Sequence, residues 1–197
     1  MDTSLLIVII LAHLLGYLLY IRGVVGSKIT PNTTTWSLLV ISVALDIPTY
    51  FYGVGHDATL KTVLPVVDCI GALSVWIFAF TRGKFERPDR WDLSIALCQI
   101  VALAIWKFNH APMDANLWLQ AAGIIAFIPI IRGVYSGQDV ERPLPWMLWS
   151  MAFGLEAVIV SRHSPEWREY VYPVCCTANH FIVGMLALRK ISTRRSL

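Results

Sequence analysis

Seven long apolar runs follow one another along this 197-residue chain, and they constrain its fold more than any single motif. Each run is close to the roughly 20 residues that an α-helix needs to cross the hydrocarbon core of a bilayer. Only 15% of the residues are charged, against about 25% in soluble domains. The sequence therefore predicts an all-α, multi-pass integral membrane protein. Its predicted spans are residues 4–21, 36–52, 62–81, 93–108, 117–131, 144–161 and 170–188.

The basic residues predict an orientation, because Lys and Arg are enriched in cytoplasmic loops. When alternate loops are assigned to opposite sides, twelve of the sixteen basic residues fall on one side. That side is expected to be cytoplasmic, which puts the N-terminus outside and the C-terminus inside a plasma (inner) membrane. The net charge of +3 arises from these loops and does not indicate nucleic-acid binding. The twelve residues are Arg22, Lys28, Arg82, Lys84, Arg87, Arg90, Arg132, Arg142, Arg189, Lys190, Arg194 and Arg195.

A sequence pattern occurs twice, at an offset of 110 residues. The matching elements are Arg-Gly-Val at 22–24 and 132–134, Trp36 and Trp146, and Leu45-Asp46 and Leu155-Glu156. Pro-Val at 65–66 recurs at 173–174, so the offset becomes 108 in the last helix of each copy. The identities are few, and chance similarity is the alternative. We predict two parallel three-helix repeats with a linker helix between them, in a 3+1+3 arrangement with bounds of 1–82, 83–115 and 116–197.

This organisation resembles the SWEET and PQ-loop transporters and the related PnuC vitamin transporters. The resemblance rests on the order of the helices, on Arg-Gly-Val at the end of the first helix of each half, and on a proline-containing step before Trp36 and Trp146. It implies two bundles that rock around a substrate site near the middle of the bilayer. The chain departs from the family in having no Pro-Gln dipeptide, and Pro48 is matched by Val158.

Three acidic residues inside the spans are candidates for substrate binding. A charge at membrane depth is costly and by default marks a functional site. Asp46 and Glu156 predict a proton or cation site, or acceptors for substrate hydroxyl or ammonium groups; the alternative is a structural hydrogen bond between helices. Asp68 follows Pro65 by about one turn and is expected either in a polar pocket or near interfacial water.

Four further residues are candidates for substrate contact. In the family that the chain resembles, an amide on the third helix of each half contacts substrate; Asn179 fits this pattern, whereas Gly71 stands at the matching position. His180 is a candidate proton relay, and the alternative is an ordinary hydrogen-bonded histidine. Trp76 and Trp149 can stack on a ring or attract a cation over the indole face, and the alternative for both is packing.

The sequence thus predicts a transporter or facilitator of a small polar solute rather than an enzyme, with a proton or monovalent cation as the candidate coupling ion. No cofactor or metal motif is present, and the bilayer is the expected environment. A homo-oligomer is one candidate form of the protein. The alternatives are a cation channel, which would conduct far faster than a carrier turns over, and a membrane sensor or intramembrane enzyme. Prolines inside the spans are the expected hinges: Pro48, Pro65, Pro129 and Pro173.

Overall fold

The computed structural model describes residues 2–54, 58–83, 87–137, 141–164 and 166–195. This part of the chain is all-helical. Its helices are 20 to 28 residues long, and each is long and apolar enough to cross a membrane. The prediction of seven helices long and apolar enough to span a membrane is therefore confirmed. The helices are α1 (Asp2–Val25), α2 (Thr33–Gly53), α3 (Ala58–Arg82), α4 (Arg90–Asn109), α5 (Pro112–Ser136), α6 (Pro143–His163) and α7 (Arg168–Arg195).

The helix ends carry ordinary start and stop signals. The Asn32 side chain accepts hydrogen bonds from the backbone of the first turn of α2, and Asp89 forms a capping box with Asp92 at the start of α4. Pro112 begins α5, where a missing N–H costs nothing, and Gly137 ends it with a φ of 86°. The predicted boundary between residues 115 and 116 therefore falls inside α5.

The helices pack in a regular pattern. α3 packs against both α1 and α2, and α7 packs against both α5 and α6. α1 also packs against α6, and α2 against α5, whereas α4 packs on α5 and α2. The largest apolar cluster lies where α1, α2, α3, α5, α6 and α7 meet. Large apolar side chains also cover the outer faces, as expected for helices that face lipid, and include Leu18, Phe80, Leu97 and Leu103.

Two charged residues lie deeper than the sequence predicts. We expected Lys61 and Glu169 in the polar joints between spans, but they lie in α3 and α7 and are 2% and 5% exposed. The predicted spans are shorter than both helices, because polar residues in the first turn of each helix interrupt the apolar run. The orientation in the membrane stays a prediction. Lys84, which contributes to it, lies outside the described residues, as do the side chains of Lys190, Arg194 and Arg195.

Candidate functional site

A cavity of about 80 Å³ lies among six of the helices, and we call it the polar cavity after the acidic, amide and imidazole groups in its otherwise largely apolar wall. Its walls come from α1, α2, α3, α5, α6 and α7, so both the first three and the last three helices contribute. The cavity has room for several water molecules. Five of the seven residues that we predicted as substrate contacts line it: Asp46, Asp68, Trp149, Asn179 and His180.

Asp46 is held by two amides on a neighbouring helix. It lies on α2 and is 5% exposed. Asn116 Nδ2 and Gln120 Nε2 of α5 both donate to its Oδ1, at 2.9 and 3.0 Å. Because residues four apart lie on one face of a helix, the two donors converge on a single oxygen. The arrangement fixes the carboxyl group at the cavity wall and ties α2 to α5.

Asp68 is held in a similar way by α1. His13 Nε2 donates to its Oδ1 at 2.9 Å, and the Tyr17 hydroxyl donates to the same oxygen at 2.5 Å. These donors are again four residues apart. The Tyr17 ring fits only because residue 71 is glycine, since a Cβ at Gly71 would overlap the ring. Tyr17 therefore occupies the space beside α3 that a larger residue would fill.

Glu156 differs from the other two acids. It lies on α6 and is 3% exposed, and neither carboxyl oxygen has a hydrogen-bond partner among the described residues. The residue is not part of the cavity wall. A buried carboxylate without a partner is strongly unfavourable, so the group requires a proton, a cation or a polar ligand.

His180 is enclosed by aromatic rings. Its Nδ1 donates to the Cys176 carbonyl at 2.7 Å, which leaves Nε2 as the acceptor in a neutral ring. The rings of Phe127, Trp149 and Phe153 lie with centroids 4.9 to 5.6 Å from the His180 ring. The Trp149 ring also packs on Tyr17, Tyr20 and Trp146. Its indole N–H donates to the His13 carbonyl at 3.2 Å.

No protein-family model, curated protein or solved structure matches this chain.

Trp76 does not line the cavity. Its indole N–H donates to Ser37 Oγ at 2.8 Å, and its ring packs on Phe80 with centroids 4.9 Å apart. Both contacts join α3 to α2 or stabilise α3 itself. The geometry of Trp76 is that of a packing residue.

The four predicted hinge prolines lie inside continuous helices: Pro48 in α2, Pro65 in α3, Pro129 in α5 and Pro173 in α7. A proline within a helix leaves the carbonyl four residues earlier without its usual donor. At Pro173 this carbonyl belongs to Glu169, and the Tyr50 hydroxyl of α2 donates to it at 2.9 Å. The break in α7 is therefore bridged by a side chain from α2.

A buried ion pair lies at the end of the bundle where α3 and α7 begin. Lys61 Nζ lies 2.6 Å from Glu169 Oε2, and both side chains are almost completely buried. The two residues are 108 positions apart, which is the offset between the third helices of the proposed repeats. The pair joins the first three helices to the last three at one end of the molecule.

Sequence reasoning missed several of these polar partners. His13 and Tyr17, and likewise Asn116 and Gln120, are polar pairs at a spacing of four residues. That spacing was a usable signal, because it marks one polar stripe on an otherwise apolar helix. We assigned Asn116 to a joint, since the apolar run begins only at residue 117. Among the described residues, no cluster of His, Cys, Asp or Glu side chains has the geometry of a metal site.

Proposed function

We propose that the protein is a membrane transporter or facilitator that moves a small polar solute by alternating access. One observation carries the proposal: a cavity with acidic, amide and imidazole groups in its wall lies between the first three and the last three helices. Ionisable groups inside a membrane bundle mark ion or substrate paths. A site between two helix bundles is also the arrangement that alternating access requires.

The packing of the helices supports a 3+1+3 arrangement of two repeats. α3 packs mainly on α1 and α2, with a smaller contact with α6, and α7 packs on α5 and α6. Raising the numbers of α1, α2 and α3 by four gives the second set, α5, α6 and α7. Exchanging each helix for its counterpart in the other set also converts the contact of α1 with α6 into that of α5 with α2. α4 packs on α5 and α2 but has no counterpart helix, as expected for a linker and in keeping with a resemblance to the SWEET and PQ-loop transporters.

Aromatic side chains close the cavity at both ends. These two closures support alternating access rather than an open pore. Towards one end, Tyr172 of the cavity wall packs on Tyr50, with ring centroids 5.3 Å apart, beside the Lys61–Glu169 pair. Towards the other end, Trp36 and Trp146 line the cavity. Tyr20 packs between these two indoles, with ring centroids 5.5 and 6.1 Å away. One closure has to open while the other stays shut.

The size and charge of the site favour a small, cationic or proton-linked solute. At about 80 Å³ the cavity is far below the roughly 300–1,000 Å³ of pockets for drug-sized ligands. Asp46 and Asp68 contribute acceptors to its wall. Glu156 lies nearby on α6 with both oxygens free of described partners, so we assign it the coupling proton or cation.

The first experiment is a thermal-shift screen of the purified protein in detergent against sugars, amines, vitamins and monovalent ions, at two pH values. A compound that binds only the folded state raises the melting temperature. We expect a small amine or cation to do so in the wild type and in Trp76→Phe, and to lose its effect in Asp46→Asn. Trp76→Phe is the matched control, because Trp76 lies outside the cavity wall.

The compound found in this way is then loaded into proteoliposomes. Exchange of labelled solute across the membrane supports the transporter proposal. Steady ionic current without solute exchange would contradict it and favour a channel, and chemical conversion of the compound in detergent would favour an enzyme.

A further inference from the structure

A second, larger cavity of about 550 Å³ lies at the end of the bundle where α1 ends and α6 begins. It is separate from the polar cavity, and the two share no lining residue. Its volume is within the range of ligand pockets. We call it the basic groove, and it is lined by the end of α1, the turn that follows and the start of α6, from Leu19 to Lys28 and from Arg142 to Pro145.

Three cations line the basic groove, and no acidic residue is among its described lining residues. They are Arg22, Lys28 and Arg142, and all three side chains are exposed. None of these three side chains has a hydrogen bond or ion pair to a residue of the described chain. Glu141, beside Arg142, accepts instead from the Tyr20 hydroxyl and the Trp146 indole. Three positive side chains that lack a polar partner among the described residues therefore face one cavity.

The backbone holds two of these cations in place. Lys28 follows a tight turn in which its N–H donates to the Gly23 carbonyl at 2.8 Å. The next residue, Ile29, is 2% exposed and anchors the turn in the core. Arg142 immediately precedes the first turn of α6, where two prolines restrict the chain. The charges are thus arranged by the fold and are not on a loose tail.

The remaining surface of the groove is apolar and continues onto lipid-facing helix surfaces. Val25 and Leu144 are 43% and 56% exposed, and Leu18, one residue before the groove, is 68% exposed. A soluble anion would gain nothing from these side chains. An anionic phospholipid matches both the cations and the apolar surface of the groove. Its phosphate pairs with the cations, and its acyl chains cover the apolar surface.

We infer that the basic groove binds an anionic phospholipid from the leaflet at this end of the bundle. The lipid would bridge the end of α1 and the start of α6, which belong to different halves of the molecule. This inference does not depend on transport, because it rests on the charges and shape of a surface outside the polar cavity.

The test is native mass spectrometry of the full chain in detergent with equimolar dioleoylphosphatidylglycerol and dioleoylphosphatidylcholine. We expect the wild type to retain phosphatidylglycerol preferentially. The variant Arg22→Gln/Lys28→Gln/Arg142→Gln should lose on the order of 100-fold in affinity for it, since each basic side chain near an anionic surface contributes about 1 kcal/mol. All three positions are exposed, and unchanged melting in lipid-free detergent shows that the variant folds.

The matched control is Arg87→Gln/Arg90→Gln/Arg132→Gln, which removes the same charge from exposed positions outside the groove at the same predicted membrane face. It should retain phosphatidylglycerol. Equal loss in the control, or no loss in the groove variant, would overturn the proposal. Displacement of the bound lipid by inorganic phosphate at similar concentration would also overturn it, because the site would then recognise a soluble anion.

Discussion

Asp46 and Glu156 stand 110 residues apart at matching positions of the repeated pattern, yet their surroundings differ. Asp46 accepts two amide hydrogen bonds from α5, whereas both oxygens of Glu156 lack partners among the described residues. The residues that stand 110 positions before Asn116 and Gln120 are Leu6 and Ile10, and neither can donate a hydrogen bond. The carboxyl group of Asp46 is thus held by hydrogen bonds, whereas that of Glu156 has no hydrogen-bond partner among the described residues.

Under the proposed function, this difference suits the two acids to separate tasks. A carboxyl group that is already hydrogen-bonded by two amides is suited to shape a site and to join helices. A buried carboxyl group without partners is suited to take up and release a proton or cation, because no protein bond has to break. In the proposed repeat, matching positions of the two halves would therefore differ in their chemistry. Substitutions at buried charges with and without partners test this interpretation of the two acids.

The largest loss of unfolding free energy is expected at the buried Lys61–Glu169 ion pair. Lys61→Met leaves the Glu169 carboxylate buried without its partner, which costs about 3–5 kcal/mol when a buried pair is broken. The measurement is reversible unfolding in detergent micelles. Lys61→Met/Glu169→Met is the control and should recover most of the loss. If Lys61→Met melts like the wild type, the pair contributes nothing to closing this end of the bundle.

A smaller loss is expected at Asp46. Asp46→Leu removes the acceptor for Asn116 and Gln120 and leaves both buried amides unsatisfied, at a cost of about 2–4 kcal/mol of unfolding free energy. Asp46→Asn keeps an oxygen acceptor and should retain more of the stability. A loss in Asp46→Asn as large as in Asp46→Leu would show that the negative charge, and not the hydrogen bonds, holds α2 to α5.

Replacing Glu156 should raise the unfolding free energy, whereas replacing Asp46 should lower it. Glu156→Leu removes a buried group that has no described partner, so we expect a gain of about 1–2 kcal/mol in unfolding free energy. The same variant, and also Glu156→Gln, should abolish solute-driven proton or cation movement in proteoliposomes. A loss of stability like that of Asp46→Leu would mean that Glu156 has an essential structural bond, and the two acids would then be equivalent.

The sequence was sufficient to predict the helices but not the partners of the acids. Apolar runs of membrane-spanning length gave seven spans in the right order, since that length is set by the bilayer. The donors to Asp46, however, lie 70 and 74 residues away, and those to Asp68 lie 55 and 51 residues away. Such pairs depend on how each helix is rotated, and packing decides that rotation.

Two local features explain the remaining differences between the predicted and the observed structure. Polar residues in the first turn concealed the starts of α3, α5 and α7, so Lys61, Asn116 and Glu169 were assigned to joints. Gly71 was noted only as the position that matches Asn179. Its role is steric, since the absence of a side chain admits the Tyr17 ring, and no pattern along the chain indicates which ring fills that space.

The smallest effect concerns the break in α7 beside the Lys61–Glu169 bridge. Tyr50→Phe keeps the ring contact with Tyr172 but leaves the Glu169 carbonyl without the hydroxyl donor, at a cost of about 1 kcal/mol. In a Pro173→Ala background the backbone N–H of residue 173 can bond that carbonyl, so the cost of Tyr50→Phe should shrink towards zero. A double-mutant cycle of unfolding free energies measures this coupling. If Tyr50→Phe costs the same in both backgrounds, the hydroxyl does not compensate for the proline, and α7 is not held to α2 at its break.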